Sequence, residues 1–241
     1  MAAFVLVHGA FQGAHVWREV AAYLRLAGHE VLTPTLTGLG DRSHLADSVR
    51  GLTHYVQDVE LAILYEQVTD IVLVGHSWSG LILPAVADCL PGRVLRLVFV
   101  DAVLPEIGKS FVDLAGPQFE QLLSAHCDGV RIRPWPLPMF GLADDGEKAK
   151  QFAARLTPMP VAAFRDAYTG PDWTRWQHPT FIRCLRTKNP LLGAMAQLAE
   201  KRDWERTAID TDHNPMTTHP DVLANALLTV SGLTPRAQGS N

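Results

Sequence analysis

The chain has 241 residues, 47% hydrophobic and 19% charged, with a formal net charge of −4. That size and composition suit one globular domain, or one domain carrying an insertion, with a sizeable core. The slight negative charge gives no electrostatic basis for binding nucleic acid or an anionic membrane.

The N-terminus, MAAFVLVHGA, enters a strand at once. It has neither the basic segment nor the cleavage site of a signal peptide, and no apolar run approaches the ~20 residues of a membrane-spanning helix, so the expected location is the cytoplasm. Ala3-Phe4-Val5-Leu6-Val7 is apolar on both faces, the pattern of a central parallel strand. The loop His8-Gly9-Ala10-Phe11-Gln12-Gly13 follows. Trp17–Leu26 has helical spacing and stops at Gly28; His29–Thr33 reads as a strand ended by Pro34, and Thr37–Ser43 as a loop. Leu52–Tyr65 places Val56, Val59 and Ile63 on one face of a helix.

Ile71-Val72-Leu73-Val74 is a buried-strand run leading into Gly75-His76-Ser77-Trp78-Ser79-Gly80 and an apolar helical stretch to Leu90. Strand, sharp turn and helix are the context that makes a G-x-S-x-G sequence a nucleophile elbow, here with Ser79 as the small residue in fifth place. A serine there is exposed at the tip of the turn, and the free amides of a helix starting at Ser77 favour an anion. Val94–Val100 is another strand, ending at Asp101. Strands alternating with helices give an α/β class with a mostly parallel sheet.

From Pro105 to His178 that alternation is lost in a proline-rich stretch with helical runs near 117–124, 147–156 and 161–168. The expected organisation is a core of residues 1–104 and 179–241 with a helical cap, 105–178, inserted between two strands. Thr180–Leu185 resumes the strands, followed by a helix near 194–203, a short strand 207–209 and a last helix 220–230; the tail from Thr234 is polar. Three cysteines (Cys89, Cys127, Cys184) at no metal-ligand spacing read as reduced thiols.

Ser77 needs a base. Open α/β sheets place their sites at the carboxyl ends of the strands. Of ten histidines, His213 in Asp212-His213-Asn214-Pro215-Met216 stands just after the last strand. His219 begins the last helix. His8 is suited to orienting the first loop, and His76, inside the elbow, to packing; the others read as surface. A developing oxyanion needs two backbone N–H groups, expected from Trp78, after the nucleophile, and from Ala10, with Phe11 as the alternative, in the first loop. The side chain of Trp78 is also a candidate substrate contact. Phe11 and the cap aromatics Trp135, Phe140, Phe164, Trp173 and Trp176 are candidates for an apolar pocket, with Trp135, Phe140 and Trp173 foremost, and core packing within the cap is the equal alternative for most of the cap residues.

The chain resembles the α/β-hydrolases, and more narrowly the plant methyl-ester esterase and hydroxynitrile lyase group with its bacterial relatives. The residues that carry the resemblance are Val5–Ala10, Ala27–Val31, Leu73–Ser77, and Asp212-His213 through Met216. It implies Ser77 as nucleophile, His213 as base, and Ala10 and Trp78 as oxyanion donors. One departure stands out. In the plant enzymes the acid of the triad follows the strand after the cap, where this chain reads Leu185-Arg186-Thr187-Lys188-Asn189-Pro190 without a carboxylate. Asp101 is the favoured acid, since some branches of the α/β-hydrolases, the haloalkane dehalogenases among them, place theirs at that strand end; Asp212 is the competitor, and capping the next turn the plainer role for Asp101.

The expected activity is hydrolysis of a small apolar or aromatic carboxylic ester or lactone through a Ser-His-Asp triad and an acyl-enzyme, with no metal or cofactor and a small-molecule ester as partner. No nucleic-acid or membrane partner is expected, and a homodimer is admitted. Two competitors remain: a hydroxynitrile-lyase-like or other non-hydrolytic enzyme, against which Asn214 stands where those lyases have a lysine, and a ligand-binding relative without catalysis.

Overall fold

The computed structural model describes residues 2–142, 146–172, 176 and 179–232. Its strands are β1 (Ala3–Val7), β2 (Glu30–Leu32), β3 (Ile71–His76), β4 (Val94–Val100), β5 (Arg131–Ile132), β6 (Met159–Pro160), β7 (Thr180–Cys184) and β8 (Glu205–Ile209). Six form one sheet in the order β2-β1-β3-β4-β7-β8, and every neighbouring pair is parallel. The central strands β1 and β3 are buried on both faces, the pattern of a parallel sheet covered by helices; all five residues of β1 and all six of β3 are buried. The helices Arg18–Leu26 and Pro220–Val230 pack together, as do Leu52–Tyr65 and Leu83–Cys89.

The register determines what meets at the carboxyl edge. Val7 lies opposite Gly75, so the loop after β1 begins beside the end of β3. His76 lies opposite Val100, so Ser77 and Asp101 are the next residues on adjacent strands, about 4.8 Å apart by sheet spacing. Val100 in turn faces Ile182, and Cys184 faces Ile209, which brings the loops after β7 and β8 to the same edge. The order of strands reverses between β1 and β3, the position where open α/β sheets form a crevice.

Between β4 and β7 the chain leaves the sheet. This segment holds the helices Phe111–Ala115 and Pro117–His126, a 3₁₀ turn Leu137–Phe140, the helix Glu147–Ala153 and the turn Ala162–Arg165. β5 and β6 pair antiparallel within it. The helix Phe111–Ala115 and this strand pair were not expected from sequence. A capping box starts the helix: Ser110 Oγ accepts from the Asp113 N–H, and Asp113 accepts from the Ser110 N–H. Gly116-Pro117 then separates it from the next helix. The helix expected near 194–203 starts earlier, at Pro190, where the Asn189 side chain caps it through the Leu191 N–H.

Candidate functional site

The turn after β3 is strained and tight. Ser77 has φ 56°, a left-handed conformation that a non-glycine residue adopts at a cost of order 1–3 kcal/mol and that turns its side chain out at the sheet edge. The helix opens as a 3₁₀ turn, Ser77–Leu81, before continuing at Leu83. Small residues are required on either side. A Cβ on Gly75 would stand 2.8 Å from the Leu83 side chain, and one on Gly80 would collide with the Val103 carbonyl oxygen. Ser79 uses its hydroxyl where the motif usually has glycine: Oγ lies 3.0 Å from the Val7 carbonyl oxygen and 2.9 Å from that of His76, tying the elbow to the end of β1.

The loop after β8 brings His213 over this turn. Its Nε2 lies 3.0 Å from Ser77 Oγ, and its Nδ1 lies 2.7 Å from Asp101 Oδ2. With the proton on Nδ1, the imidazole donates to the carboxylate and accepts from the serine hydroxyl. Asp101 is buried and has φ 43°, so the chain bends as β4 ends and turns the carboxylate toward His213. Thr187 Oγ1 donates to the same Oδ2 at 2.6 Å. Asp212 is engaged elsewhere: Oδ1 accepts from the Asn214 N–H at 2.8 Å, and Oδ2 lies 4.0 Å from His219 Nδ1.

Two further histidines are built into the frame. His76 donates from Nε2 to the His213 carbonyl oxygen at 2.7 Å, and its ring lies 4.7 Å from the His213 ring. Burial holds its pKa well below the ordinary value, with the nearby His213 acting in the same direction. His8 donates from Nδ1 to the Gly9 carbonyl and accepts the Leu36 N–H on Nε2, bracing the first loop; burial lowers its pKa to about 4. Both rings are therefore neutral at pH 7. His219 precedes the last helix and contacts Thr218.

Ala10 and Phe11 occupy the turn after β1, and Phe11 has φ 67°. The Trp78 amide lies in the first turn of its helix, where an N–H has no intrahelical acceptor. Its indole does not face the cavity beside His213. The ring is buried edge-on to Tyr55, and Nε1 donates to the Ala163 carbonyl at 3.0 Å.

That cavity has a volume of about 810 Å³ and is lined by His213 and Thr187 together with Phe111, Phe119, Leu122, Met139, Leu142 and Leu191. The aromatics singled out in the sequence sit differently. Phe11 and Phe140 are buried, and Phe11 packs edge-on to Trp135 at 4.9 Å and to Phe140 at 6.3 Å, with Phe164 stacked at 5.8 Å. Phe119 touches both groups, standing in the cavity wall and 5.6 Å from Trp135. Trp173 lies outside the described residues, as does His178.

Sequence reasoning missed Thr187, Gln12 and a structural role for Asn214. The Gln12 side-chain N–H donates to Asn214 Oδ1 at 2.7 Å, and Asn214 Nδ2 donates to the Phe140 carbonyl at 2.6 Å. This relay joins the first loop, the His213 loop and the inserted segment. Its partners lie far apart in sequence, which no local pattern reveals. Among the described residues no group of three or more His, Cys, Asp or Glu is arranged to hold a metal ion, and no helix is long and apolar enough to cross a membrane.

The sequence model described as the alpha/beta hydrolase family matches residues 4–226. A carbendazim-hydrolysing esterase from Nocardioides sp. is 37% identical over 177 residues, covering 68% of this chain and 72% of that protein. Methylesterase 7 of Arabidopsis thaliana is 36% identical over 144 residues, covering 57% of this chain and 55% of that protein. In fold, the chain is similar to an extracellular alpha/beta-hydrolase from a Paenibacillus species, with a TM-score of 0.85 and 23% identity over 95% of this chain and 99% of that one.

Proposed function

The chain belongs to the alpha/beta hydrolase family and is a carboxylic ester hydrolase within it; we propose that it cleaves a small apolar or aromatic ester or lactone through Ser77, His213 and Asp101. The observation that carries this reading is the unbroken chain of hydrogen bonds from the Ser77 hydroxyl through His213 to Asp101. Ser77 Oγ attacks the carbonyl carbon while His213 Nε2 takes the hydroxyl proton. Asp101 keeps the other imidazole proton on Nδ1 and stabilises the imidazolium that forms. The Ala10 and Trp78 amides receive the oxyanion. His213 returns the proton to the leaving alcohol, which departs and leaves the acyl group on Ser77. Water, deprotonated by His213, then attacks the acyl-enzyme and regenerates the serine.

The segment 105–178 acts in this reading as a cap over the site, and the apolar wall of Phe111, Phe119, Leu122 and Met139 favours an ester with an apolar or aromatic body. The relatives named for carbendazim hydrolysis and as a methylesterase are in keeping with a small ester. Asn214 weighs against the lyase alternative: its amide is buried in the relay with Gln12 and Phe140, where those lyases carry a lysine.

The test is hydrolysis of short p-nitrophenyl esters, with fluorophosphonate labelling as a second readout. Ser77→Ala is expected to lower turnover by about 10³-fold or more and to abolish labelling without unfolding the protein. Equal rates for the two proteins would remove Ser77 from the mechanism. An active, correctly folded protein that the probe does not label would exclude the acyl-enzyme.

A further inference from the structure

Thr187 is presented by the turn that follows β7. The Leu185 and Arg186 amides donate to the Ile209 and Thr211 carbonyls, which fixes this turn against the end of β8, and the Thr187 amide closes it on the Cys184 carbonyl. Its hydroxyl donates to Asp101 Oδ2 at 2.6 Å, the oxygen that also receives His213 Nδ1 at 2.7 Å. The other oxygen, Oδ1, has the Cys184 N–H at 3.4 Å, a long contact. Oδ2 therefore holds the two short bonds to this buried carboxylate, and one of them comes from a residue in the wall of the cavity.

We propose that Thr187 is a positioning residue for the triad: its hydroxyl holds the Asp101 carboxylate in the rotamer that meets His213, and by sharing Oδ2 it moderates how strongly that carboxylate attracts the imidazolium. The proposal rests on the triad reading above. A short hydrogen bond from a hydroxyl to a carboxylate is charge-assisted and about twice as strong as a neutral one. Without it, a buried oxygen loses a donor and the carboxylate is less firmly aligned with the ring, while its own contact to Nδ1 remains. The charge left on Oδ2 is then less shared, so whatever contact remains favours the protonated form of His213. The other titratable groups facing this site include His76, neutral through burial, Asp212, held by the Asn214 N–H, the buried Cys184 thiol beside Asp101, and Lys188 in the cavity wall; Arg186, next to Thr187, is paired with Asp210. Replacing Thr187 alters none of these.

The experiment compares wild type, Thr187→Val, Thr187→Ser and Asp101→Asn on one p-nitrophenyl ester, measuring kcat, KM and the pH dependence of kcat/KM, with thermal unfolding of each. Thr187→Val replaces the hydroxyl by a methyl at nearly constant shape. It is expected to lower kcat about tenfold with KM little changed, consistent with the loss of one hydrogen bond to a charged group. The acid limb of its profile, which reports the base of the free enzyme, should move to higher pH. Thr187→Ser should restore both. A Thr187→Val enzyme with an unmoved acid limb, or with a change confined to KM, would reduce Thr187 to cavity wall and overturn the proposal. If Asp101→Asn keeps wild-type turnover, the triad reading itself fails and the proposal with it; if Asp101→Asn is crippled while Thr187→Val is normal in kcat and profile, only the Thr187 proposal fails.

Discussion

The carboxyl edge of the sheet and the segment between β4 and β7 hold their residues by different means. Ser77 and Asp101 stand at the ends of adjacent strands paired over six positions, so their spacing is set by backbone hydrogen bonds. Phe119 and Met139 stand on short helices and turns that meet the rest of the molecule through side-chain packing, such as Phe11 against Trp135, Phe140 and Phe164, and through single bonds, such as the Thr157 amide on the Phe11 carbonyl and the Leu52 amide on Asp166. One region fixes geometry; the other supplies surface. On the proposed triad reading, the difference separates bond making from ester selection, and changes in the two regions should be felt in different measurements.

The sharpest way to break this comparison is at Asp101, the proposed acid. Asp101→Asn should leave the fold intact, because the shape is kept, yet lower kcat by about 10²- to 10⁴-fold by favouring the wrong imidazole tautomer. Asp212→Asn should stay within several-fold of wild type, since that carboxylate serves the Asn214 amide. The reverse ranking would mean that register at the strand ends does not select the acid.

Next in size is a pH effect on stability to which two buried histidines at the sheet edge contribute. His8 has a folded-state pKa lowered to about 4, and His76 is also lowered, both through burial. The unfolded chain binds these protons near pH 6.5, the folded protein only at lower pH. Their contribution to stability is thus complete above pH 6.5 and is lost as pH falls toward 4, with His8 alone contributing about 3 kcal/mol over that window. Urea unfolding should show a clearly lower free energy at pH 5 than at pH 7. A His8→Asn variant should show a flatter dependence; an unchanged slope would mean that the buried ring is not the origin of the effect.

The smallest expected effect lies in the inserted segment. Phe119→Ala should lower kcat/KM for a bulky aromatic ester by about tenfold while leaving a short acetate ester nearly unaffected, as removal of apolar pocket contact does. An equal loss on both esters would show that the inserted segment also sets the geometry of the chemistry.

The two regions were unequally legible in the sequence, for the same reason that they differ in construction. The runs Ala3–Val7 and Val94–Val100 and the helices Leu52–Tyr65 and Pro220–Val230 are continuous signals, and the structure places these elements at those bounds. The placement of the loops that carry Ser77, Asp101 and His213 at one edge also follows from the sequence, because each stands just after a strand of a parallel sheet. The inserted segment is less readable because its elements are short and its pairings distant: Arg131 meets Pro160 across a long stretch of intervening chain. The same limit hid Thr187 and Gln12, whose partners Asp101 and Asn214 belong to other loops. The indole of Trp78 illustrates a different limit, since sequence places a residue at a turn without saying which way its side chain lies.

That indole has a consequence for exchange of parts between relatives. Trp78 follows Ser77 directly, and its ring N–H ends on the Ala163 carbonyl inside the inserted segment. Grafting a foreign segment between β4 and β7 would have to reproduce a carbonyl at that point. Otherwise a buried donor beside Ser77 is stranded, at about 1–3 kcal/mol. The insertion is therefore not a freely interchangeable module. A chimera that swaps the segment should swap position 78 with it.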